Sequence, residues 1–306
     1  MTVRVDVKER LDDQEVGEVL GVVEAATEAD GVRPLNEHVM LHMRYGGDER
    51  ARSLLLYDGS SLAGYAHVDP TDEVEGPSGE LVIHPAFRRR GHGGTLLRAV
   101  LDLAGGRLRL WAHGGGSGAA GLAASMGFER VRSLWQMRRS LFAPVPSYEL
   151  PDGVQVRAFV PGQDEEAWLK VNAAAFAHHP EQGSWTLEDL QLRERESWFD
   201  PAGFFLAFRD SRLVGFHWTK VHGSTDHGHD PVGEVYVVGI DPSQQGTGLG
   251  KALTLAGLHH LRSRGLAQVM LYVDEANAAA IRLYTGLGFS QWDVDVMYAA
   301  TPPASG

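Results

Sequence analysis

The chain repeats itself at long range, and this repeat constrains its fold more than any other feature of the sequence. A shift of 157 residues places Pro85 on Pro242, so that "LVIHPAFRRRGHGGTLLRAV" (81–100) overlaps "VVGIDPSQQGTGLGKALTL" (237–255). Further along, "SMGF" (125–128) corresponds to "GLGF" (286–289) at a shift of 161 residues. A period of this length exceeds any solenoid unit, so the repeat predicts two duplicated domains.

Both copies follow one plan: an apolar strand, a glycine-rich turn, a helix, a strand, a helix and a Gly-Phe pair. A helix-like stretch opens each copy. In the first, apolar residues recur at helical spacing from Val16 to Val23, and in the second, "DEEAWLKVNAAAF" (164–176) has acidic residues in its first turn, where the helix dipole favours them. The strand candidates are "SLLLY" (53–57), "LAGYAHV" (62–68), "FFLAFR" (204–209), "LVGFHWTKV" (213–221) and "EVYVVGI" (234–240). This order predicts an α/β fold, of the α+β mixed-sheet kind, in each half.

The stretch "SLFAPVPSYELPDG" (140–153) contains three prolines and separates the two copies. Proline-rich connections of this kind are typical of linkers. We therefore expect an N-terminal domain over residues 1–139, a linker over residues 140–151 and a C-terminal domain over residues 152–306.

The charge balance narrows the class of partner. The chain has 28 Lys and Arg against 40 Asp and Glu, a formal net charge of −12. Nucleic acids and anionic membranes bind clustered cations, so we expect neither as a partner. The chain has no cysteine, which excludes disulfides, thiolate metal sites and a cysteine nucleophile. No apolar run reaches the length of a membrane span, and we expect a cytoplasmic monomer that acts on a small molecule.

The glycine-rich turn at 245–251 has the features of an anion site, because glycines let a ligand approach the backbone and a helix N-terminus follows. A nucleotide P-loop needs G-x-x-x-x-G-K-[ST], but here the first glycine is one residue too close and Ala252 follows the lysine. A dinucleotide turn needs G-x-G-x-x-G, which the spacing also fails. The pattern that remains is Q/R-x-x-G-x-G, which occurs as Gln245, Gly248, Gly250 and as Arg88, Gly91, Gly93. It resembles the pyrophosphate turn of the GNAT acyltransferases, and this resemblance implies acyl-coenzyme A as the ligand.

Acetyl transfer to an amine requires a base for the ammonium and an acid for the departing thiolate. Glu234 begins the strand that leads into the second turn, and Tyr284 lies in a helix that Asn277 opens, so we predict Glu234 as base and Tyr284 as acid. Counted by the repeat, the matching positions in the first half are Pro77 for Glu234, Ala123 for Tyr284 and Gly116 for Asn277. We therefore predict a degenerate, non-catalytic first domain and a catalytic second domain.

Other interpretations of these residues remain open. Glu234 also fits a solvated strand end, Tyr284 a core tyrosine and Lys220 an exposed cation. The stretch "HGSTDHGHD" (222–230) contains His222, His227 and His229, which could indicate a metal. Histidines in a Gly/Asp/Ser loop without further ligands are usually solvated, and we expect no metal.

Three stretches resemble the mycothiol synthases, a family of tandem GNAT enzymes from actinobacteria. They are "NAAAFAHHPEQGSWT" (172–186), "EVYVVGIDPSQQGTGLGKALT" (234–254) and "LYVDEANAAAIRLYTGLGF" (271–289). The resemblance implies acetyl transfer from acetyl-CoA to the cysteinyl amine of Cys-GlcN-Ins, which yields mycothiol and CoA. It also implies a set of substrate contacts: Glu37, Glu181, Lys220, Glu234 and Tyr272. The implied acetyl-CoA contacts are Leu81, Val82 and Ile83 in the first half, and Val238, Gly239, Ile240, Gln245, Gly246, Thr247, Gly248, Leu249, Gly250, Lys251, Asn277, Ala278, Ala279, Ala280, Ile281 and Arg282 in the second.

One position departs from the family pattern. Gly239 occupies a place in the strand that is usually bulkier, and we expect it to loosen the backbone beside the thioester. Two rival functions stay open at this stage. The chain could be a GNAT enzyme that acetylates another amine, such as an aminoglycoside, a polyamine or a protein N-terminus. It could also be a non-catalytic acyl-CoA sensor.

Overall fold

A computed structural model describes residues 3–72, 75–223 and 230–300 of the chain. The chain divides into two compact units. Unit 1 comprises Met1–Leu134, Asp274–Ala276 and Asp293–Gly306, and unit 2 comprises Trp135–Val273 and Asn277–Trp292. Two short segments of the second half thus belong to the first unit. The consecutive domain boundaries expected from the sequence stay a prediction.

Unit 1 begins with a strand and two helices, continues with three consecutive strands, and then alternates helices with strands. Its elements are β1 (Val3–Lys8), α1 (Asp13–Asp30), α2 (Glu37–Tyr45), β2 (Arg52–Asp58), β3 (Ser61–Asp69), β4 (Ser78–Ile83), α3 (His92–Leu103), β5 (Arg109–Ala112), α4 (Ser117–Ser125) and the first part of β6 (Phe128–Ser140).

Unit 2 repeats this order. Its elements are the rest of β6, β7 (Val154–Ala158), α5 (Glu165–Ala175), the single turn α6 (Pro180–Gly183), α7 (Leu187–Glu194), β8 (Phe204–Arg209), β9 (Arg212–His222), β10 (Val232–Ile240), α8 (Leu249–Ser263), β11 (Gln268–Asp274) and α9 (Ala278–Gly286). The last strand, β12 (Ser290–Ala300), follows α9, and its residues from Asp293 onward belong to unit 1.

The sheet of unit 1 has the strand order β1-β2-β3-β4-β5-β12. Only β4 and β5 run parallel; the other neighbours pair antiparallel. Alternate residues of β2 face opposite sides, so that Leu55 packs under α1 and α2 while Leu54 and Leu56 pack under α3. A capping box between Asp12 and Glu15 fixes the start of α1. Helices therefore cover both faces of the sheet.

The sheet of unit 2 has the strand order β6-β11-β10-β9-β8-β7, with β10 and β11 parallel. One face carries a large aromatic core around Trp168 of α5 and Trp218 of β9. The opposite face packs Val214 of β9 against Leu249 and Leu253 of α8. The mixed-sheet prediction for both halves is confirmed, as are the strand-turn-helix segments around the two glycine-rich turns.

Among the helices within the three described ranges, none combines the length and the apolar character that crossing a bilayer requires.

Candidate active site

A β-bulge interrupts β10 next to the candidate base. The antiparallel ladder pairs Val235 with Thr219 and then Val237 with Trp218, so Tyr236 is an extra residue on β10. A bulge bends the strand and redirects its side chains and backbone groups. Glu234 lies before the bulge, and the implied cofactor contacts Val238 to Ile240 lie after it.

Beyond the bulge, β10 has an open edge toward β11. The parallel ladder joins Val232–Val235 to Gln268–Leu271 and, within the described residues, extends no further. On the other side, the pairing with β9 continues to Ile240. The backbone groups of β10 that face β11 after the bulge can therefore bind an extended ligand, as the pantetheine arm of coenzyme A would require.

The turn after β10 leads directly into a helix whose N-terminus is open. Gly246 and Gly248 have φ angles of +78° and +88°, which residues with a Cβ rarely adopt. Gly248 is the N-cap of α8 and contributes no side-chain cap, so the first N–H groups of α8 point into the turn. Together with the helix dipole they can bind a phosphate.

Unit 1 contains the same arrangement in a simpler form. The parallel pairing of β4 with β5 covers only Ser78–Glu80 and Arg109–Trp111, which leaves Leu81 to Ile83 beyond the ladder. Gly91 has a φ of +87° and caps α3, again without a side-chain cap. The Arg88 side chain differs from expectation in one respect: it pairs with Asp30 at 2.6 and 2.7 Å and donates to the Ile83 carbonyl at 3.1 Å.

Glu234 is buried and has two polar neighbours on β9. It lies opposite Lys220 in the ladder. Its Oε2 lies 2.5 Å from Nε2 of His222, the last residue of β9. The solvated interpretation of Glu234 is therefore wrong, because only 7% of its side chain is exposed.

From the sequence, His222 is interpreted only as part of a solvated, Gly/Asp/Ser-rich loop or of a metal site, which misses its contact with Glu234. The alternation of side chains along β9 could have revealed this contact, because residues 220 and 222 lie on the same face of the strand and residue 220 pairs with Glu234. His227 and His229 lie outside the described residues. Within the described parts of the chain, no three His, Asp or Glu side chains are grouped so that they could hold a metal ion.

Tyr284 lies in α9, the helix that Asn277 opens. The Asn277 side chain accepts a hydrogen bond from the Ala280 N–H at 3.0 Å and so caps the helix. The Tyr284 ring packs against Phe289, and burial raises the pKa of its hydroxyl to about 12. The phenol thus carries its proton at neutral pH, as a general acid must.

Among the implied substrate contacts, Lys220 is buried, and its Nζ lies 4.1 Å from the ring centre of Trp198 and 5.0 Å from that of Tyr236. Lys220 is therefore not an exposed cation.

Tyr272 is 39% exposed on β11, and its hydroxyl accepts a hydrogen bond from Gln136 Nε2 at 2.8 Å. Glu37 is the first residue of α2 in unit 1. The Glu181 side chain lies outside what the structure describes.

The Tyr236 bulge changes which residue of unit 1 corresponds to Glu234. In unit 1 the ladder from Gly64–Ile83 to Asp69–Ser78 runs without a register shift. Because β10 contains one extra residue, the position that matches Glu234 is Ser78 and not Pro77. The first unit therefore has neither the bulge nor a carboxylate at this position. Gly116 likewise caps α4 without the side-chain hydrogen bond that Asn277 makes.

The packing around residue 239 explains why a glycine occupies this position, which the sequence could not show. A Cβ on this residue would lie 2.4 Å from Cε1 of Phe216 and 3.3 Å from Cβ of Ala175. The missing side chain makes room for the Phe216 ring in the aromatic core. The glycine is thus required by close packing against its neighbour strand.

Comparisons with known proteins agree with this geometry. The chain matches the acetyltransferase (GNAT) family over residues 17–128 and again over residues 169–289. It is 67% identical to the mycothiol acetyltransferase of Streptosporangium roseum over 97% of this chain and 99% of that protein. It is 65% identical to the mycothiol acetyltransferase of Thermobispora bispora, with the same two coverages.

Solved structures show the same fold in tandem. A tandem GNAT protein from the clavulanic acid biosynthesis pathway superposes with a TM-score of 0.75 at 20% identity, over 100% of both chains. A GCN5-related N-acetyltransferase from Sphaerobacter thermophilus superposes with a TM-score of 0.68 at 24% identity, over 96% of this chain and 95% of that one. The GNAT family model matches twice, and this family implies acyl-CoA as the co-substrate. Both relatives are mycothiol acetyltransferases that match over nearly their full length. The chain is therefore an N-acetyltransferase that belongs to the tandem GNAT family of mycothiol acetyltransferases.

Proposed function

We propose that the chain is a mycothiol synthase that transfers the acetyl group of acetyl-CoA to the cysteinyl amine of Cys-GlcN-Ins. The observation that carries this proposal is the 67% identity to a mycothiol acetyltransferase over nearly the full length of both proteins. The buried Glu234 and the protonated Tyr284 supply the acid–base groups that the reaction needs.

The proposed reaction is a direct transfer in which the protons balance. Glu234 takes a proton from the substrate ammonium, directly or through a water, and leaves a neutral amine. The amine nitrogen attacks the thioester carbon and the carbon–sulfur bond breaks. Backbone N–H groups after the Tyr236 bulge would stabilise the oxyanion. Tyr284 gives its proton to the departing thiolate. The nitrogen then loses its second proton, which restores the Tyr284 phenol through solvent, and Glu234 releases the first proton to solvent. The products are the acetylated amine, CoA and one proton.

The same reasoning assigns the catalysis to unit 2. Unit 1 has a glycine turn of similar geometry but a regular β4 ladder, Ser78 in place of Glu234 and Ala123 in place of Tyr284. We propose that Leu81 to Ile83 and the Gly91 turn bind acetyl-CoA without turning it over. Isothermal titration that counts acetyl-CoA sites in the full chain tests this: two sites support it, and one site limits binding to a single unit.

The function is tested by mass spectrometry of the acceptor after incubation with acetyl-CoA. Cys-GlcN-Ins should gain one acetyl group, and a form of it with the amine already blocked should gain none. Mass detection is needed because the substrate has a thiol of its own, which thiol reagents would count with CoA. Acetylation of an aminoglycoside, a polyamine or a peptide N-terminus in preference to Cys-GlcN-Ins would replace the proposed acceptor.

Two variants test the acid–base assignment in the same assay. Glu234→Gln removes the base and Tyr284→Phe removes the acid, and each should lower kcat by roughly 10²- to 10⁴-fold. Acetyl-CoA affinity should be nearly unchanged in both. Full activity of either variant would remove that residue from the proposed mechanism, and an absence of turnover in the wild type with every amine would indicate a binding protein.

A further inference from the structure

The hydrogen bond between His222 and Glu234 joins a buried carboxylate to a ring that reaches solvent. Only 7% of the Glu234 side chain is exposed, against 33% of the His222 side chain. His222 Nε2 lies 2.5 Å from Glu234 Oε2. An ionised carboxylate only accepts hydrogen bonds, so the imidazole N–H is the donor in this pair.

The strand geometry explains why these two residues meet. In the ladder between β9 and β10, Glu234 pairs with Lys220, and Val232 pairs with His222. His222 and Glu234 are therefore diagonal neighbours on one face of the sheet, a spacing that long side chains can bridge. The Tyr236 bulge lies two residues beyond Glu234 and redirects β10 there, so the His222 contact holds a carboxylate that sits close to an irregular part of the strand.

Resting on the proposed function, we infer that His222 is a positioning residue for the catalytic base. Its Nε2–H holds Oε2 of Glu234, which leaves Oε1 to take the proton of the substrate ammonium. The other registered neighbours of Glu234 are Lys220 on β9 and Met270 on β11. Lys220 Nζ lies over the rings of Trp198 and Tyr236, and Met270 has no N–H or O–H to donate, so His222 is the side chain placed to orient the carboxylate.

Three substitutions separate this role from simple packing. His222→Gln places an amide N–H close to the position of the imidazole Nε2 and keeps the donor. His222→Asn keeps an amide but is too short to reach Glu234, and His222→Phe keeps the ring shape without any donor. The matched control is His259→Phe, because His259 is a half-exposed histidine of the same unit whose ring bonds the Pro146 carbonyl.

The measurement is kcat and KM for both substrates. His222→Phe and His222→Asn should lower kcat roughly 10- to 100-fold, because a misdirected base costs about that much. His222→Gln should recover most of the loss, and KM for acetyl-CoA should stay at the wild-type value in all three. The His259→Phe control should match the wild type in every parameter.

Two results would overturn the inference. Wild-type kcat in His222→Phe would show that the donor has no role. A loss in His222→Gln as large as in His222→Phe would show that the imidazole acts by something other than donating an N–H. These results differ from a failure of the proposed function: if the wild type acetylates another amine, the series is run with that amine, and if it acetylates none, the inference falls with the function.

Discussion

At the scale of single residues, the surroundings of individual glycines and buried histidines determine how the protein responds to substitution and to pH. Gly239 and Gly250 were both predicted to contact the cofactor, but the structure shows that the space around their Cα atoms differs. A Cβ at Gly239 would collide with the Phe216 ring, whereas a Cβ at Gly250 would meet Ile240 only at an ordinary 3.5 Å. The two positions therefore respond differently to the same substitution.

We predict that Gly239→Ala destabilises the protein, by about 1–3 kcal/mol, because the Phe216 ring must leave its place in the aromatic core. Gly250→Ala should leave stability unchanged or raise it slightly, because Gly250 is a helical residue with room for a methyl group. Urea unfolding followed by tryptophan fluorescence measures both. Equal midpoints for the two variants would contradict the packing explanation of Gly239.

Two buried histidines predict how stability depends on pH. Burial lowers the pKa of His67 to about 3, helped by the neighbouring His42, and lowers that of His217 to about 4. Both are neutral in the folded chain, whereas an unfolded histidine binds a proton near its ordinary pKa of about 6.5. The unfolded state therefore binds more protons between about pH 6.5 and pH 4, and stability falls as the pH falls through this window.

We expect each histidine to contribute a slope of at most about 1.4 kcal/mol per pH unit to that loss. The ring nitrogens of His67 have no hydrogen-bond partner among the described residues, so His67→Phe removes the titrating group without removing a bond. The free energy of unfolding in urea, measured between pH 4.5 and pH 7.5, should vary less steeply for this variant than for the wild type. Parallel curves would contradict the assignment of His67.

At the scale of elements, the sequence predicted local segments well and register poorly. The strand-turn-helix segments around Gly91 and Gly248 could be predicted because a glycine turn and a helix start leave local patterns. The bulge at Tyr236 leaves none: it is a property of how β10 pairs with β9. Without it, Pro77 appeared to match Glu234. The residue types of the candidate site thus stay a prediction from the sequence, whereas their hydrogen-bond partners came only from the structure.

The two turns give a matched pair for testing acetyl-CoA binding. Gly248 and Gly91 have φ angles of +88° and +87°, and an added Cβ would find no atom within 4 Å at either place. Alanine therefore acts through backbone strain, which costs about 1–2 kcal/mol, and through obstruction of the phosphate approach. We predict that Gly248→Ala weakens acetyl-CoA binding and lowers turnover, while Gly91→Ala spares turnover. Isothermal titration and the acetylation assay measure these effects, and loss of turnover in Gly91→Ala would assign chemistry to unit 1.

At the scale of the whole molecule, the first unit is completed by the last strand of the chain. Val296 and Tyr298 of β12 pair with Ala112 and Leu110 of β5. Such pairing could not be predicted from the sequence, because the partners are separated by almost 190 positions and nothing local marks them. The proline-rich stretch at 140–153 suggested a boundary between two consecutive domains. By their contacts, however, the residues from Asp293 onward belong to unit 1.

A buried ion network shows what this strand contributes to unit 1. His113 lies between Glu80 Oε1 at 3.0 Å and Asp295 Oδ2 at 2.8 Å. The second Asp295 oxygen accepts the Gly114 N–H at 2.9 Å. Burial alone would lower the pKa of His113, but the carboxylates of Glu80 and Asp295 outweigh it and raise this pKa to about 10. Removing β12 would leave Nδ1 of His113 and the Gly114 N–H without their Asp295 partner, at about 1–3 kcal/mol for each unmet hydrogen bond, while Nε2 of His113 keeps Glu80.

We therefore predict that residues 1–139 do not fold stably when expressed alone, although the sequence suggests a complete domain. The fragment should lack amide protection in β5 by hydrogen exchange and should unfold without a cooperative transition. The matched control joins residues 293–300 to the same fragment through a flexible Gly/Ser linker, which restores the partner of β5. An Asp295→Asn change in that fusion should weaken it again, because the imidazolium of His113 loses a carboxylate. Protection of β5 in the bare fragment equal to that in the full chain would show that β12 is dispensable and that the linker is a true domain boundary.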